Sequence, residues 1–313
     1  MRVAVTGGCG FIGSHVVDRL LTAGHEVVVV DAVSRRLPFA AEFAQVDILD
    51  PVGLAAALEG SEVVFHLAAM ADVEQVKADP VRSVRLNVEG TTSVLEAARR
   101  SGLSRTVLAS TVWVYGAAAG EPDGSGPELD EDVPIDLGRS GHLYVAGKLA
   151  AELVAHSYRE LYGQHFTILR YGIPYGPRMR DELVIARFVQ SALAGRPITI
   201  AGTGAQTRNF VYVEDLADAH VRALSTAAQD QTFALEGTTP VSIREIADTV
   251  DQLLGPVTIE HVPARDADYT ARRISNAKAK RLLDWSPRTP FAEGVRRYVD
   301  WYRSPAAQEP PND

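Results

Sequence analysis

A short glycine-rich segment near the amino terminus constrains the fold of this chain more than any other feature. It reads Gly7-Gly8-Cys9-Gly10-Phe11-Ile12-Gly13 and lies between an apolar run typical of a strand and a pattern typical of a helix. Gly7 permits a tight turn, Gly10 lets a pyrophosphate approach the backbone, and Gly13 lets the helix pack on the sheet. The free N–H groups at the helix start then face the phosphates. We therefore expect Gly7, Gly10, Phe11, Ile12 and Gly13 to bind a dinucleotide.

An acidic residue stands where such a dinucleotide would present its ribose. Asp31 ends the second apolar strand, 18 residues after Gly13, which is near the usual distance for a ribose-binding carboxylate. A carboxylate accepts hydrogen bonds from both ribose hydroxyls and repels a 2′-phosphate, so Asp31 favours NAD over NADP. Arg35 and Arg36 follow closely and could weaken this preference. We interpret them as part of a solvated loop.

Short β-branched runs alternate with helical patterns along the first half of the chain. The predicted strands are Arg2–Thr6, Glu26–Val30, Val63–His66, Arg105–Ser110 and Phe166–Arg170. The predicted helices are Phe11–Ala23, Pro51–Leu58, Pro80–Arg100 and Tyr144–Leu161. This alternation predicts an α/β fold with a doubly wound parallel sheet of the Rossmann type.

The second half of the chain is less regular. Helical patterns recur near Asp181–Ala194, Glu214–Ala227, Ile243–Leu254, Asn276–Leu283 and Phe291–Tyr302. We predict a dinucleotide-binding domain over residues 1–170, joined by a returning segment at about 207–235. A smaller C-terminal α/β substrate lobe would comprise 171–206 and 236–303. We expect an acidic surface loop at 117–143 and a frayed tail at 304–313.

Composition excludes several classes of function. The chain has 313 residues, with 31 Lys and Arg against 40 Asp and Glu, and a formal charge of −9. A nucleic-acid partner is disfavoured because phosphate binding needs a basic surface. A single cysteine, Cys9, excludes an internal disulfide and a cysteine-based zinc site. With no apolar run long enough to span a membrane and no signal-like start, we predict a cytoplasmic protein that binds neither membranes nor metals.

Tyr144 and Lys148 are the candidates for acid–base chemistry. They are four residues apart at the start of a predicted helix and therefore share one face. A neighbouring ammonium stabilises phenolate, so we expect Lys148 to lower the pKa of Tyr144 and make it a general base. Ser110 and Thr111 end a strand of the same sheet, and such strand ends face the cofactor crevice.

These segments belong to a longer series of motifs that runs over almost the whole chain. The series is Thr6-Gly7-Gly8-Cys9-Gly10-Phe11-Ile12-Gly13, Phe65-His66-Leu67-Ala68-Ala69, Asn87-Val88-Glu89-Gly90-Thr91, Ser110-Thr111-Val112-Trp113-Val114-Tyr115-Gly116, Tyr144-x-x-x-Lys148, Leu169-Arg170-Tyr171, Tyr175-Gly176-Pro177 and Arg208-Asn209-Phe210-Val211-Tyr212-Val213-Glu214-Asp215. With these motifs in this order, the sequence resembles the extended short-chain dehydrogenases/reductases, and within them the NAD-dependent nucleotide-sugar epimerases and dehydratases.

The resemblance implies roles for individual residues. The implied cofactor contacts beyond the glycine loop and Asp31 are Asp47 and Ile48, which would flank the adenine, and Leu67, Ala68 and Ala69, which would line the nicotinamide side. The further implied contacts are Asn87, Ser110, Tyr144, Lys148 and Tyr171. Thr111 would hydrogen-bond the reacting hydroxyl beside Tyr144, and Lys148 would bind the nicotinamide ribose. The implied substrate contacts are Thr111, Tyr144, Ile173, Arg178, Arg208 and Arg265, with the last two gripping a diphosphate. Ile173 departs from the asparagine that the family often has there, so substrate binding should differ at this point.

The residues after Thr111 favour one reaction over others. A 4,6-dehydratase of this family uses Asp-Glu directly after the Ser/Thr, whereas this chain has Val112 and Trp113, which transfer no protons. The leading prediction is a 4-epimerase that inverts C4 of a nucleotide-diphosphate sugar through a transient 4-keto intermediate. The alternatives are an NAD(P)-dependent reductase or dehydrogenase, a sugar-acid decarboxylase and a non-catalytic dinucleotide-binding protein. Arg178 and Arg180 could meet an anionic sugar such as a uronic acid, although a solvated loop explains them equally well.

Two predicted helices carry a second apolar stripe. The stripes comprise Val84, Val88 and Leu95 on one helix and Leu149, Leu153 and Leu161 on the other. The resemblance implies that these helices pair across a twofold axis, so we expect a homodimer.

Overall fold

The computed structural model describes residues 1–35, 40–116, 128–139, 141–264 and 273–305. Arg36, Arg265, much of the predicted acidic loop and the tail beyond residue 305 lie outside the described residues. The strands are β1 (Arg2–Thr6), β2 (Glu26–Asp31), β3 (Glu42–Gln45), β4 (Val63–His66), β5 (Arg105–Thr111), β6 (His165–Tyr171), β7 (Ile173–Tyr175), β8 (Ile198–Ala201), β9 (Thr207–Tyr212), β10 (Gln231–Leu235), β11 (Pro240–Ser242) and β12 (Ile259–Val262). The helices are α1 (Phe11–Thr22), α2 (Pro51–Leu58), α3 (Val73–Ala78), α4 (Pro80–Val84), α5 (Gly90–Arg100), α6 (Leu143–Tyr162), α7 (Val184–Leu193), α8 (Val213–Arg222), α9 (Ile243–Leu254), α10 (Ala277–Leu283) and α11 (Phe291–Arg303).

Seven strands form one parallel sheet in the order β10-β6-β5-β4-β1-β2-β3. Alternate residues of β1 face opposite layers: Val3 and Val5 pack in the core that contains α1 and α8, and Ala4 packs in the core that contains α2 and α5. This confirms the prediction of a doubly wound parallel sheet. The strand order reverses between β1 and β4, and ligands of such sheets bind beyond the carboxyl ends of the strands at this point.

A second group of elements forms its own hydrophobic core. Strand β9 pairs with β7 in parallel and with β11 in antiparallel orientation, and β8 pairs with β12. Helices α7, α9 and α11 pack on these strands around a core that includes Phe188, Ile246 and Tyr298. Within the predicted returning segment, β9 belongs to this smaller sheet, α8 packs against α1, and β10 joins the main sheet.

The observed elements differ from the predicted ones at several points. Strand β3 was not predicted because it is an edge strand whose Glu42, Phe43 and Gln45 are exposed, so it carries no apolar pattern. The helix predicted over Pro80–Arg100 contains a π-helical turn at Arg85–Glu89. The helix predicted from Asp181 begins at Val184, after a turn in which Leu183 N–H donates to the carbonyl of Arg180. No helix in the described ranges has the length and apolar character needed to cross a membrane.

Candidate active site

The glycine loop between β1 and α1 has the geometry of a phosphate cradle. Gly7 has φ of 70°, and a Cβ there would lie 2.6 Å from the backbone nitrogen of Ala68. A Cβ on Gly13 would overlap the carbonyl oxygen of Gly7. Gly10 caps α1 without a side-chain acceptor, so the N–H groups of Phe11 and Ile12 are available to an anion. These features fit the pyrophosphate of a dinucleotide.

Asp31 ends β2 beside this loop. Its Oδ2 accepts a hydrogen bond from Cys9 N–H at 3.0 Å, and its Oδ1 accepts one from Val33 N–H at 3.2 Å. The carboxylate is half-buried. It therefore fixes the loop and also lies where the ribose next to the pyrophosphate would be, as expected from the sequence. Together the cradle and this carboxylate fit NAD.

A buried hydrogen-bond network connects β1, β4 and α5 behind the crevice. His66 at the end of β4 contacts the Thr6 hydroxyl through Nδ1 at 2.7 Å and the Thr91 hydroxyl through Nε2 at 3.0 Å. The Thr91 hydroxyl donates to the carbonyl of Asn87, so it must accept from Nε2–H. Burial, followed by the charge of Lys148, lowers the pKa of His66 to about 3, so the ring is neutral. The sequence predicts no role for His66, because a single buried histidine has no characteristic spacing to other functional residues.

The π-helical turn holds the chain segment that follows β4. Asn87 Oδ1 accepts from Met70 N–H at 2.9 Å, and its Nδ2 donates to the Met70 carbonyl at 3.0 Å. Leu67, Ala68 and Ala69 precede this point and are half-buried. Asn87 thus fixes the predicted nicotinamide side of the crevice through the backbone of Met70.

The two residues predicted to flank the adenine lie between β3 and α2. Asp47 is exposed, and its Oδ1 accepts from Leu49 N–H at 2.9 Å. Ile48 is buried, and a Cβ on Gly90 would come within 2.9 Å of its Cγ1. Ile48 therefore packs in the core against Gly90, the first residue of α5.

Thr111, Tyr144 and Lys148 converge on the carboxyl end of β5. Buried Thr111 ends this strand, and its hydroxyl accepts from Trp113 N–H at 3.2 Å. Lys148 is buried, and its Nζ donates to the carbonyl of Ala109 at 2.9 Å. Tyr144, on the first turn of α6, is half-buried and meets the ring of Trp113 edge-on at 6.4 Å. The Lys148 contact fixes α6, which carries Tyr144, against β5, which ends at Thr111.

The protonation of this group differs from the sequence expectation. Burial raises the pKa of Tyr144 to about 12, and the Arg180 guanidinium acts in the opposite direction by favouring phenolate. Burial lowers the pKa of Lys148 to about 8, against the carboxylate of Glu152, which favours the ammonium. The pKa of Tyr144 is therefore raised, not lowered as the spacing to Lys148 predicts, because the loss of solvent is the largest effect on the phenol. Tyr144 is protonated at neutral pH, and Arg180 is the cation that acts on it.

Ser110 and Tyr171, two predicted cofactor contacts, use their hydroxyls inside the fold. The Ser110 hydroxyl donates to Glu152, which also forms a buried ion pair with Arg170. The Tyr171 hydroxyl hydrogen-bonds Nε2 of the buried His220 at 2.6 Å. A contact of either residue with the cofactor would therefore involve its backbone rather than its hydroxyl.

A cavity of about 270 Å³ lies beside the second hydrophobic core, and two of the predicted substrate residues line it. Ile173 and Arg208 both line it, together with Glu182, Arg187 and Phe210. Arg208 donates to the carbonyl of Thr207 at 2.8 Å. The cavity combines an apolar wall with two guanidinium groups, which suits the base and the phosphates of a nucleotide. The predicted role of Arg265 falls outside the described residues.

Arg178 and Arg180 have different surroundings despite their proximity in sequence. Arg178 has φ of 66°, and its Nη2 donates to Nδ1 of His15 on α1 at 2.9 Å. His15 in turn donates from Nε2 to the carbonyl of Pro177 at 2.8 Å. Arg180 instead forms an ion pair with Asp72 at 2.8 Å and lies close enough to Tyr144 to influence its pKa. The structure therefore puts Arg180, rather than Arg178, beside the predicted base.

Other candidate sites in the described residues are weaker. A larger cavity of about 360 Å³ lies between α1 and α8, and its lining includes Asp18, Arg19, Glu214 and Arg288 but none of the residues predicted to bind cofactor or substrate. In the described part of the chain, no three histidine, cysteine, aspartate or glutamate side chains are grouped so as to hold a metal ion.

Comparison with known proteins agrees with this arrangement. A model of the NAD dependent epimerase/dehydratase family matches residues 3–235. The chain is 36% identical to UDP-glucose 4-epimerase of Mycolicibacterium smegmatis, over 97% of this chain and 99% of that protein. It is 33% identical to UDP-glucuronic acid decarboxylase 1 of Arabidopsis thaliana, over 97% of this chain and 70% of that protein. The relatives therefore share the fold and differ in the reaction.

Solved structures give the same result. MoeE5 has been solved with UDP-glucose and NAD and with UDP-glucuronic acid and NAD. The two complexes superimpose with TM-scores of 0.85 and 0.84, respectively, both at 30% identity and covering 97% of this chain and 99% of MoeE5. The glycine cradle, Asp31, the motif series and these likenesses lead to one conclusion: this chain belongs to the NAD-dependent epimerase/dehydratase family.

Proposed function

We propose that the protein is a C4 epimerase of a UDP-linked sugar. The observation that carries this proposal is the site at the end of β5, where Thr111, Tyr144 and Lys148 converge while the next two residues are Val112 and Trp113. Such a site can remove and return one proton and one hydride at a carbinol carbon. It has no second acid–base pair next to Thr111 for eliminating water.

The steps at the sugar follow from the roles of the side chains. Bound NAD would supply the hydride acceptor for C4, and the reduced cofactor would supply the hydride donor for the return step. Tyr144 takes the proton from O4 as the hydride leaves, and the Thr111 hydroxyl holds O4 in place. Because the pKa of Tyr144 is about 12 with Arg180 already acting on it, formation of the phenolate requires further positive charge, which the nicotinamide ring of bound NAD would supply. Turning the 4-keto sugar before the hydride returns inverts C4.

Rotation of the keto sugar requires that the rest of the substrate remains anchored. The cavity lined by Ile173, Arg187 and Arg208 suits a nucleoside diphosphate, and the solved relatives bind UDP-sugars. Arg265 remains a predicted second contact with the diphosphate. Anchoring at this end leaves the bonds between sugar and phosphate free to rotate.

Val112 and Trp113 argue against dehydration. Val112 is buried and Trp113 is half-buried against His142 and Tyr144. Neither side chain transfers a proton, so the 4-keto sugar would keep its C6 hydroxyl. A decarboxylase remains the second candidate because Arg180 could bind a uronic acid and one relative decarboxylates UDP-glucuronic acid. Release of carbon dioxide from the 4-keto acid would identify that reaction.

We also propose that the protein forms a homodimer through α4 and α6. Val81, Val84 and Leu153 are large apolar side chains on these helices, and they are 70%, 42% and 65% exposed. Such side chains gain most from burial against a second copy. The apolar surface available to a second copy is smaller than the two stripes predicted from the sequence, because Leu95 and Leu149 are buried in the protomer's own core.

The proposed function is tested by replacing the base and a matched tyrosine. Tyr144→Phe should lower turnover by about 100-fold or more while NAD stays bound, because only the phenol is lost. Tyr158→Phe alters a tyrosine on the same helix whose hydroxyl contacts Glu96, and it should retain turnover. Products are read by NMR with UDP-glucose and UDP-glucuronic acid and no added cofactor. Unchanged turnover in Tyr144→Phe, or accumulation of NADH in the wild type, would contradict the proposal.

A further inference from the structure

An ion pair crosses the crevice next to Tyr144. Arg180 comes from the connection between β7 and α7 in the smaller lobe, and Asp72 comes from the segment between β4 and α3 in the main domain. Arg180 Nη1 lies 2.8 Å from Asp72 Oδ2, with 44% of the arginine side chain and 22% of the aspartate side chain exposed. Solvent and other anions can therefore reach the pair.

The two partners differ in how firmly the fold holds them. Asp72 caps α3, and its Oδ1 accepts from the N–H groups of Glu74 and Gln75 at 3.0 and 2.9 Å. Its Oδ2 is left for Arg180. These backbone hydrogen bonds, and then Arg180, hold the pKa of Asp72 below its usual range, so it is ionised at neutral pH. Arg180 is half-exposed on a longer side chain and has more freedom to exchange partners.

The position of the Arg180–Asp72 ion pair determines which part of the substrate it can contact. Arg180 acts on the phenol of Tyr144, which the proposed function puts at O4 of the sugar. The substituent on C5 lies next to this centre on the sugar ring. A hydroxymethyl group there is neutral, whereas a carboxylate carries a charge that matches the guanidinium.

We propose that Asp72 is an internal counter-ion that a sugar carboxylate displaces from Arg180, so that this one site accepts both neutral and carboxylated UDP-sugars. The inference rests on the proposed function. With a neutral sugar, Asp72 continues to balance Arg180 and no unpaired charge is left in the crevice. With a uronic acid, the substrate carboxylate takes the place of Asp72, and one carboxylate–guanidinium pair is exchanged for another.

This exchange makes Asp72 a determinant of specificity and predicts the direction in which it changes the preference between the two kinds of sugar. Because binding of a uronic acid must first release Arg180, Asp72 weakens the preference for carboxylated over neutral sugar. Asp72→Asn retains the oxygen that caps α3 and removes the competing charge. It should therefore strengthen binding of UDP-glucuronic acid relative to UDP-glucose.

The test measures the dissociation constants of UDP-glucuronic acid and UDP-glucose on the NAD-loaded protein by calorimetry. Asp72→Asn should raise the preference for UDP-glucuronic acid by about threefold to fivefold, the range of a partly exposed ion pair. Asp72→Glu, which keeps the charge, should restore the original preference. In an Arg180→Gln background, Asp72→Asn should leave the preference unchanged. Asp50→Asn, which alters the equivalent cap of α2, is the matched control.

Several results would overturn the inference. They are an unchanged preference in Asp72→Asn, the same change in Asp50→Asn, or an equal change whether or not Arg180 is present. If Asp72→Asn does not fold, Asp72→Ser keeps a capping oxygen and gives the same comparison. If the wild type binds both sugars without interconverting epimers, the proposed function fails while the binding comparison still decides the role of Asp72. If it binds neither sugar, both proposals fail.

Discussion

Removal of Glu152 should destabilise the protein strongly, because its carboxylate is the partner of a buried guanidinium. Glu152 Oε1 and Oε2 accept from Arg170 Nε and Nη2 at 3.0 and 2.7 Å, and the Ser110 hydroxyl also donates to Oε1. The side chains of Arg170 and Glu152 are only 7% and 5% exposed. Glu152→Ala would leave Arg170 charged and unpaired, at a cost of about 3–5 kcal/mol in the free energy of unfolding.

The size of the decrease in the free energy of unfolding distinguishes an unpaired buried charge from the loss of a single contact. Glu152→Leu combined with Arg170→Met removes both charges, and its main remaining cost is the unpaired Ser110 hydroxyl, about 1–3 kcal/mol before any gain from apolar packing. Glu96→Ala, at a carboxylate that pairs with Arg99 on the surface, should cost less than about 1 kcal/mol. Urea unfolding followed by circular dichroism measures all three. A loss below about 1 kcal/mol for Glu152→Ala, or a double variant less stable than the single one, would refute the reasoning.

The same carboxylate also affects Lys148. Burial lowers the pKa of Lys148 to about 8, and Glu152 is the group that raises it. Loss of Glu152 should lower this pKa further, so Lys148 loses its proton at a lower pH. The alkaline decline of turnover should move to lower pH in Glu152→Gln, which retains hydrogen-bonding atoms. An alkaline limb that does not move would show that Lys148 does not control it.

Three further predictions concern the cofactor, the predicted dimer and the buried histidine. Asp31→Ala should weaken NAD binding by about 10-fold or more and narrow the gap to NADP, measured by calorimetry; a wild type that prefers NADP would contradict the role of Asp31. Leu153→Glu, which puts a charge on the exposed apolar face of α6, should give a monomer in sedimentation at micromolar concentration, and a wild type that is itself monomeric would refute the dimer. His66→Phe should cost about 1–3 kcal/mol in the free energy of unfolding because the hydroxyls of Thr6 and Thr91 lose their shared partner, and an unchanged urea midpoint would exclude the network.

The sequence predicts those parts of the protein that depend on local pattern. The glycine spacing before α1 and the apolar runs of β1, β2, β4, β5 and β6 identify the main sheet, because buried parallel strands are apolar throughout. Edge strand β3 cannot be identified in this way, because most of its side chains are exposed and form no apolar run.

Contacts between distant segments could not be predicted in the same way. The separation of Arg178 from Arg180 depends on a positive φ at Arg178 and on His15, which is 163 residues away. The pKa of Tyr144 depends on burial by several elements rather than on the spacing to Lys148. Such properties follow from tertiary packing, and a motif records only that the residues are present.

The most direct test of C4 epimerisation follows the hydrogen at C4. UDP-glucose and UDP-glucuronic acid carrying deuterium at C4 are incubated with the NAD-loaded protein and analysed by NMR and mass spectrometry. We expect that at least one of them gives a mixture of two C4 epimers, with deuterium retained at C4 of both and no net NADH. Loss of deuterium to solvent, a 4-keto-6-deoxy product, a decarboxylated pentose or stoichiometric NADH would contradict C4 epimerisation.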